Sequence, residues 1–360
     1  MKRILITGSA GFIGAHVVAY LLENTSWDIV CLDRYDTSGN LNRLAGFIKE
    51  DDKKRVKVIY QDLKAPINEF TAKAIGKVDH VIHLAASSHV DRSIEDPVSF
   101  VMDNVVGTTH LLNWARNGGM KTVDTDEKLP SAYRYVQRYT GKFINFSTDE
   151  VFGPAADGYA HKEEDPHKPS NPYSASKSGQ EAIGYAFHVT YGLPVITTHT
   201  MNNFGEMQHA EKLVPRTIRS ILEGTEMPIF AKLNDKDELE AVGSRFWIHC
   251  KNTASAILFL LVHGKEGENY NIIGFDELTN LEIAEKVEKI IKEYCDASDV
   301  KHTYALIPKF VDFHKVRPGH DRRYALDGSK MRDLGWKPVV NFEESLKETV
   351  EWTLKHPEWQ

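Results

Sequence analysis

The stretch ITGSAGFIG, Ile6 to Gly14, constrains this chain more than any other. It follows the β-branched run RILIT and runs into apolar residues at helical spacing from Phe12 to Leu22. Gly8, Gly11 and Gly14 give a G-x-x-G-x-x-G spacing between a strand and a helix. Glycines there permit a tight turn and let the backbone approach a pyrophosphate. The helix start at Phe12 and Ile13 then supplies N–H groups and a partial positive charge. The turn is answered by Asp33 at the end of DIVCLD. A carboxylate at that place accepts hydrogen bonds from an adenosine ribose and repels a 2′-phosphate, so the expected cofactor is NAD rather than NADP. Arg34 beside it pulls the other way, because an arginine accommodates the extra phosphate. Asp62 and Leu63 in YQDL, after the third apolar run, are placed to reach the adenine, although Asp62 could equally cap a strand.

The rest of the first two hundred residues repeats this alternation. RILIT, DIVCLD, VKVIY, HVIHLA, KFINFS and PVITTH read as strands. Stretches with apolar residues at helical spacing lie between several of them, among them Val98 to Trp114 and Ser174 to Val189. That order predicts an α/β fold, a Rossmann-type doubly wound parallel sheet covered on both faces. After Thr200 the pattern loosens. KLVPRTIRSIL reads as a helix, FAKLNDKDELEAVGSR as a polar loop or hairpin, and FWIHCKNTASAILFLLVHG as a strand and helix returning to the larger unit. From Leu278 to Trp359 two helices are expected around the loop KVRPGHDRRYALD. The division this suggests is a dinucleotide-binding unit of residues 1–200 and about 244–275, with a smaller mixed α/β substrate lobe of about 201–243 and 276–360.

With 360 residues, 41% hydrophobic and 26% charged, the chain has the balance of a soluble globular protein of one large or two coupled domains. A net charge of −7 argues against nucleic acid or a membrane surface as the main partner. Cys31, Cys250 and Cys295 are scattered and odd in number, which suits a reducing compartment. No leader-like pattern stands before KRILIT, so a cytoplasmic protein is expected. His89 and His209 have no clustered His, Asp or Cys around them, and no metal is expected.

Two further stretches carry chemistry. YSASK puts Tyr173 and Lys177 one helical turn apart on one face, where a lysine ammonium beside the phenol would favour the phenolate and make a usable base. NFSTDEVFG ends the run KFINF with Thr148, Asp149 and Glu150 in succession. Adjacent carboxyls repel each other, and a solvated surface turn would hold them without any role.

Together these stretches are similar to the extended short-chain dehydrogenase/reductases, and within them to the nucleotide-sugar 4,6-dehydratases, of which the dTDP-glucose enzymes are the best-known type. The resemblance spans nearly the whole chain, through TGSAGFIG, HLAASSHVDRSI, NVVGTTHLL, STDEVFG, NPYSASK, NNFGEMQHAEKLVP and RPGHDRRYALD. It implies NAD in the glycine turn, with further cofactor contacts from Leu84, Ala85, Ala86, Asn104, Tyr173 and Lys177. Thr148, Tyr173 and Lys177 would carry the redox step at a sugar C4. The Asp-Glu pair is the dehydratase mark: Glu150 would take the C5 proton and Asp149 would protonate the departing C6 hydroxyl. Neighbouring acids in a shielded site can be split into different protonation states. The substrate would be an NDP-glucose, dTDP-glucose first and UDP-glucose second, lined by Ser87, Asn202, Asn203, Glu211, Lys212 and Leu213. Arg245, Arg317 and His320 would approach its diphosphate. A homodimer through the helices around Val98–Trp114 and Ser174–Val189 is also implied. Three departures from the family's pattern bear on the base and the sugar: Ser87 where many members carry glutamate, the long segment before FWIHCKN, and NNFGEM without a proline after its glycine. A 5,6-dehydratase or C4 epimerase would share Tyr173 and Lys177, and a non-catalytic NAD-binding sensor would share only the fold.

Overall fold

The computed structural model describes residues 1–36, 38–123, 136–233, 239–274, 276–298, 305–312 and 323–360. At its centre lies a seven-stranded sheet. Numbering only the strands of that sheet, β1 is Arg3–Thr7, β2 Asp28–Asp33, β3 Val56–Tyr60, β4 His80–His83, β5 Phe143–Thr148, β6 Val195–Thr200 and β7 Asn269–Ile272. The spatial order is β7-β6-β5-β4-β1-β2-β3, and every neighbouring pair is parallel. The order reverses at β1, so the crevice for a ligand opens at the carboxyl ends of β1, β2 and β4.

Side-chain alternation explains why these runs are apolar throughout. Ile4, Ile6, Ile29, Ile82, Ile144 and Ile196 join one buried cluster, whereas Leu5, Val30, Val81, Phe143 and Val195 join another. Successive residues of a strand point to opposite faces, and both faces here are covered by helices. Burying each such side chain is worth roughly 1.5–3 kcal/mol. On one face the helix α1, Phe12–Asn24, supplies Val17, Val18 and Leu21. The helix α2, Pro172–Tyr191, lies against the consecutive helical segments Pro97–Val101, Met102–Val106 and Gly107–Trp114. The six strands expected from the sequence are all present. The seventh, NYNI, is short and carries two asparagines, so its composition hides it.

Of the loop or hairpin expected in FAKLNDKDELEAVGSR, the structure has the hairpin, Glu226–Leu233 paired antiparallel with Leu239–Ala241. A third strand, Ile307–Asp312, pairs parallel with Glu226–Leu233 and was not expected from the sequence. Helices Leu213–Glu223, Asn280–Ala297 and Phe342–Lys355 share an apolar cluster built from Val214, Ile218, Val287, Ile291, Leu346 and Val350. After Leu278 there is also a helix at Ser329–Leu334, where only two helices in all were expected. Its Met331, and Trp336 just beyond it, belong to the same cluster as Ile4 and Ile6, and Trp336 Nε1 donates to Ser255 Oγ at 3.2 Å. That part of the C-terminal region therefore leans on the larger unit. Among the described residues no helix is long and apolar enough to cross a membrane.

Candidate active site

A cleft of about 480 Å³ opens where β1, β2, β4 and β5 end. Its floor is the glycine turn. Gly8 has φ +68°, and a Cβ there would come within 2.6 Å of the Ala85 backbone nitrogen. A Cβ on Gly14 would lie 2.0 Å from the Gly8 carbonyl oxygen. Both positions therefore require glycine, and the turn stays flush against the start of α1. Gly11, Phe12 and Ile13 complete this part of the wall, with Leu84, Ala85 and Ala86 opposite. Asp62 and Leu63 close the far end.

Asp33 stands at the tip of β2 with one oxygen accepting from Ala10 N at 2.9 Å and the other from Tyr35 N at 3.2 Å. Burial raises its carboxyl above the usual range, against the pull of those backbone donors. Arg34 does not reach freely into the site. Its Nε is 2.6 Å from Asp36 and its Nη1 is 2.7 Å from Asp103. Asp103 Oδ2 also accepts the Ser87 hydroxyl at 2.5 Å. Arg34 and Asp103 both line the cleft, and neither partnership was visible from the sequence.

The chemistry-bearing residues come from two chain reversals. β5 ends at Thr148, whose hydroxyl accepts from Glu150 N at 3.3 Å and thereby starts the short helical turn Asp149–Phe152. α2 begins one residue before Tyr173, because Pro172 fills its first position and Asn171 caps it in a reciprocal box with Ser174. Tyr173 and Lys177 thus fall in the first turns of α2 and face the cleft with Thr148, Asp149 and Glu150. Asp149 is 4% exposed. Its Oδ1 accepts the Thr148 hydroxyl at 2.9 Å, while its buried Oδ2 has no hydrogen-bond partner among the described residues. Burial raises this carboxyl, and the Arg245 charge opposes the shift. Glu150 is held differently, with Oε2 accepting from Asn171 Nδ2 at 3.1 Å.

Lys177 corrects one expectation. Its ammonium donates to Phe146 O at 2.7 Å and to Gln180 Oε1 at 2.5 Å, and burial brings its pKa down to about 7. Tyr173 is shifted upward by burial and then by Glu150 and Asp149, with the Thr148 hydroxyl working the other way. A buried ammonium must satisfy its protons, and here the β5 carbonyl and the Gln180 side chain take two of them.

Two other expected contacts move out of the cleft. Asn104 is fully buried and holds the backbone of Ser87, accepting from its N at 2.8 Å and donating to its O at 3.0 Å. Its amide also donates to Ser176 Oγ at 2.8 Å, so it positions the wall instead of facing a cofactor. Arg245 is drawn off by its own strand: it donates to Ser244 O at 2.7 Å and stacks on Tyr324 at 4.2 Å, outside the cleft wall. Ser87, Asn202, Asn203, Glu211, Lys212 and Leu213 do line the cleft. The Asn203 amide is partly engaged, accepting from Thr253 Oγ1 at 2.6 Å and donating to Met201 O at 2.9 Å. Arg317 and His320 lie outside the described residues. Away from the cleft, His167, Glu181 and His199 come together, so the absence of local metal-ligand spacing in the sequence did not exclude such a cluster.

Comparison with known proteins agrees with this geometry. A family model described as GDP-mannose 4,6 dehydratase matches residues 5–349. A dTDP-glucose 4,6-dehydratase of Haemophilus influenzae is 37% identical over 356 residues, 98% of each chain. Among solved structures, a dTDP-glucose 4,6-dehydratase of Streptomyces venezuelae with NAD bound superimposes with a TM-score of 0.79 at 33% identity, covering 99% of this chain and 98% of that one. One from Bacillus anthracis in complex with NAD gives 0.79 at 31% identity, covering 100% and 98%. A chain so matched from near one end to near the other, with a glycine turn and a Thr-Asp-Glu, Tyr and Lys set sharing one cleft, belongs to the GDP-mannose 4,6-dehydratase family, within the extended short-chain dehydrogenase/reductases.

Proposed function

We propose that this protein is an NAD-dependent NDP-glucose 4,6-dehydratase, a hydro-lyase that converts a nucleotide hexose to its 4-keto-6-deoxy form. dTDP-glucose is the substrate that the names of the relatives favour. UDP-glucose is the second candidate. The single observation that carries the reading is Asp149. It is a buried carboxyl, raised by its surroundings, with one oxygen unpartnered among the described residues, beside Glu150 and in the same cleft as Tyr173. A surface turn would leave such a pair solvated and both acids charged.

The cleft fits NAD on its own evidence. The turn at Gly8 and Gly14 excludes a Cβ, α1 offers its N-terminus, and Asp33 retains lone pairs for ribose hydroxyls. What NAD supplies when bound is an acceptor for the C4 hydride and a donor of the same hydride to C6, so the reaction is redox-neutral and the cofactor stays with the protein. Tyr173 takes the C4 hydroxyl proton, and the Thr148 hydroxyl turns from Asp149 Oδ1 to steady its phenolate. In its protonated form Lys177 adds positive charge to the cleft, and it ties α2 to β5 through Phe146 O. The 4-keto group acidifies the C5 hydrogen, which Glu150 takes. Asp149 gives its proton to the C6 hydroxyl and water leaves. Glu150 returns a proton to C5 at the end, and the proton held by Tyr173 passes through solvent to Asp149, which restores the starting state.

The NAD-binding unit in this reading is residues 1–200 and about 244–275, and the nucleotide-sugar lobe is about 201–243 and 276–360, with the Ser329–Leu334 region bracing the former. Asn202, Glu211, Lys212 and Leu213 face the sugar nucleotide from the lobe side of the cleft. Arg317 and His320 keep the diphosphate role that the resemblance gives them. The protein works as a homodimer. Incubation with a panel of nucleotide hexoses, followed by mass spectrometry, tests the assignment. Loss of one water from dTDP-glucose or UDP-glucose, with a 4-keto-6-deoxy product, is expected. An epimer of unchanged mass would overturn it.

A further inference from the structure

Outside the catalytic cleft, three side chains from three separate elements meet, two imidazoles converging on one carboxylate oxygen. Glu181 of α2 places Oε2 3.0 Å from Nε2 of His199 on β6 and 3.4 Å from Nε2 of His167 in the loop before α2. Glu181 and His199 are buried, and His167 is about one-quarter exposed.

The companion atom of each group is held by another residue. His199 Nδ1 is 2.9 Å from Asn271 Oδ1. The Asn271 amide nitrogen donates to His161 O and Asp327 O, both at 3.0 Å, and this fixes Oδ1 as the atom facing the imidazole. An amide oxygen can only accept, so His199 Nδ1 carries a proton, and Nε2 faces Glu181 Oε2 at hydrogen-bond distance, where it either donates a second proton or, with that proton displaced, presents a lone pair. His167 Nδ1 is 2.8 Å from Ser178 Oγ, and Glu181 Oε1 accepts the Ser147 hydroxyl. Two imidazole nitrogens thus face one carboxylate oxygen, an arrangement that a proton on each nitrogen satisfies and that a metal ion can occupy in their place. Metal-bound histidines show this same outer arrangement, with the far ring nitrogen donating to an oxygen that sets tautomer and ring orientation.

The spacing supports an ion as that charge. With Zn–N and Zn–O distances of about 2.0–2.2 Å, the edge of a coordination tetrahedron is about 3.3 Å. The 3.0 and 3.4 Å separations bracket that value, and all three donor atoms lie within 4.8 Å of one another. His167 and Glu181 also line a second cavity of about 180 Å³, together with Ser178, His188 and Glu268. Three protein donors beside a cavity leave a fourth position for water.

We propose that His167, Glu181 and His199 form a binding site for a divalent transition-metal ion, with Zn²⁺ the best match to two imidazoles and a carboxylate. The ion clamps α2, which carries Tyr173 and Lys177, to β6 and to the loop before α2. It acts on the architecture of the fold and takes no part in the sugar chemistry.

The test uses full-length protein without a histidine tag, stripped with chelator and dialysed. Zn²⁺ binding is followed by calorimetry and Co²⁺ binding by visible absorption. One ion per chain, the ligand-field bands of four-coordinate Co²⁺ and a higher melting temperature with Zn²⁺ are expected. His167→Ala, whose side chain lies at the cavity rim, and Glu181→Gln should each weaken binding by at least ~10- to 100-fold, the scale seen when even an outer partner of a ligand is removed. Each variant's circular dichroism is compared with the parent's in the stripped state. No saturable one-to-one binding in the parent would overturn the proposal, whatever the variants do. Binding by a folded His167→Ala as tight as the parent's would overturn it too, because the ion would then sit elsewhere.

Discussion

Arg34 Nη1 lies 2.7 Å from Asp103 Oδ1, so the guanidinium that follows the cofactor-reading aspartate is already engaged by a carboxylate of the opposite wall. Asp36 takes its other side at 2.6 Å. The arginine that the sequence suggests for a 2′-phosphate is therefore committed, and Asp33 meets the ribose with its own charge. Purified protein should carry NAD(H), and calorimetry should show NADP binding at least ~10-fold more weakly, since like charges in a partly buried contact are strongly unfavourable. Asp33→Ser combined with Asp103→Asn should narrow the gap by removing the repulsion and releasing Arg34 from one of its two carboxylates. Equal affinity for both cofactors in the parent would refute this.

Burial of Asp149 makes a prediction about stability as well as catalysis. Its folded-state pKa is raised above the unfolded value. Between those two values the native state binds more protons than the unfolded state, so stability from this group falls as pH rises through the window. Asp149→Asn removes that penalty. The melting temperature of the variant relative to the parent should be higher at pH 8 by a few degrees, on the order expected for one buried group, and the difference should shrink toward pH 4. A difference independent of pH would mean that the carboxyl is not held in this way.

Val98 is 69% exposed, Tyr185 62% and Val189 61%, on helical segments that lie side by side against the sheet. Val101 and Met102 add to the same apolar exposure. Apolar surface of this kind marks an interaction face, and a second copy of the chain would bury it. Light scattering at micromolar concentration should give a dimer, and Val98→Glu with Tyr185→Glu should shift it to monomer. A monomeric parent contradicts the assignment.

Much of the frame was legible in the sequence because it depends on local patterns. The glycine turn, six apolar strands and the Y-x-x-x-K helix each announce themselves within a dozen residues. β7 was missed because Asn269 and Asn271 interrupt its apolar character, although the Asn271 side chain is itself fully engaged in hydrogen bonds. Asn104 and Arg245 were placed in the site because a motif gives a position along the chain and not the direction of a side chain. Asn104 points into the wall and Arg245 onto Tyr324. The Arg34–Asp103 pair and the His167–Glu181–His199 cluster join residues far apart in the chain, which no spacing rule detects. The Lys177 ammonium was expected beside the phenol because helical periodicity fixes a shared face but not the choice among acceptors on that face.

The central claim is that Asp149 and Glu150 serve elimination and not oxidation, and one measurement addresses it most directly. Asp149→Asn with Glu150→Gln keeps size and polarity and removes proton transfer. The double variant is mixed with dTDP-glucose and NADH absorbance is followed alongside product release. Tyr173 should still support oxidation at C4, so NADH should appear and persist. Release of the 4-keto-6-deoxy product should fall by at least roughly 10²-fold, the scale for losing a general acid or base. Near-parent product release by the double variant would contradict the account.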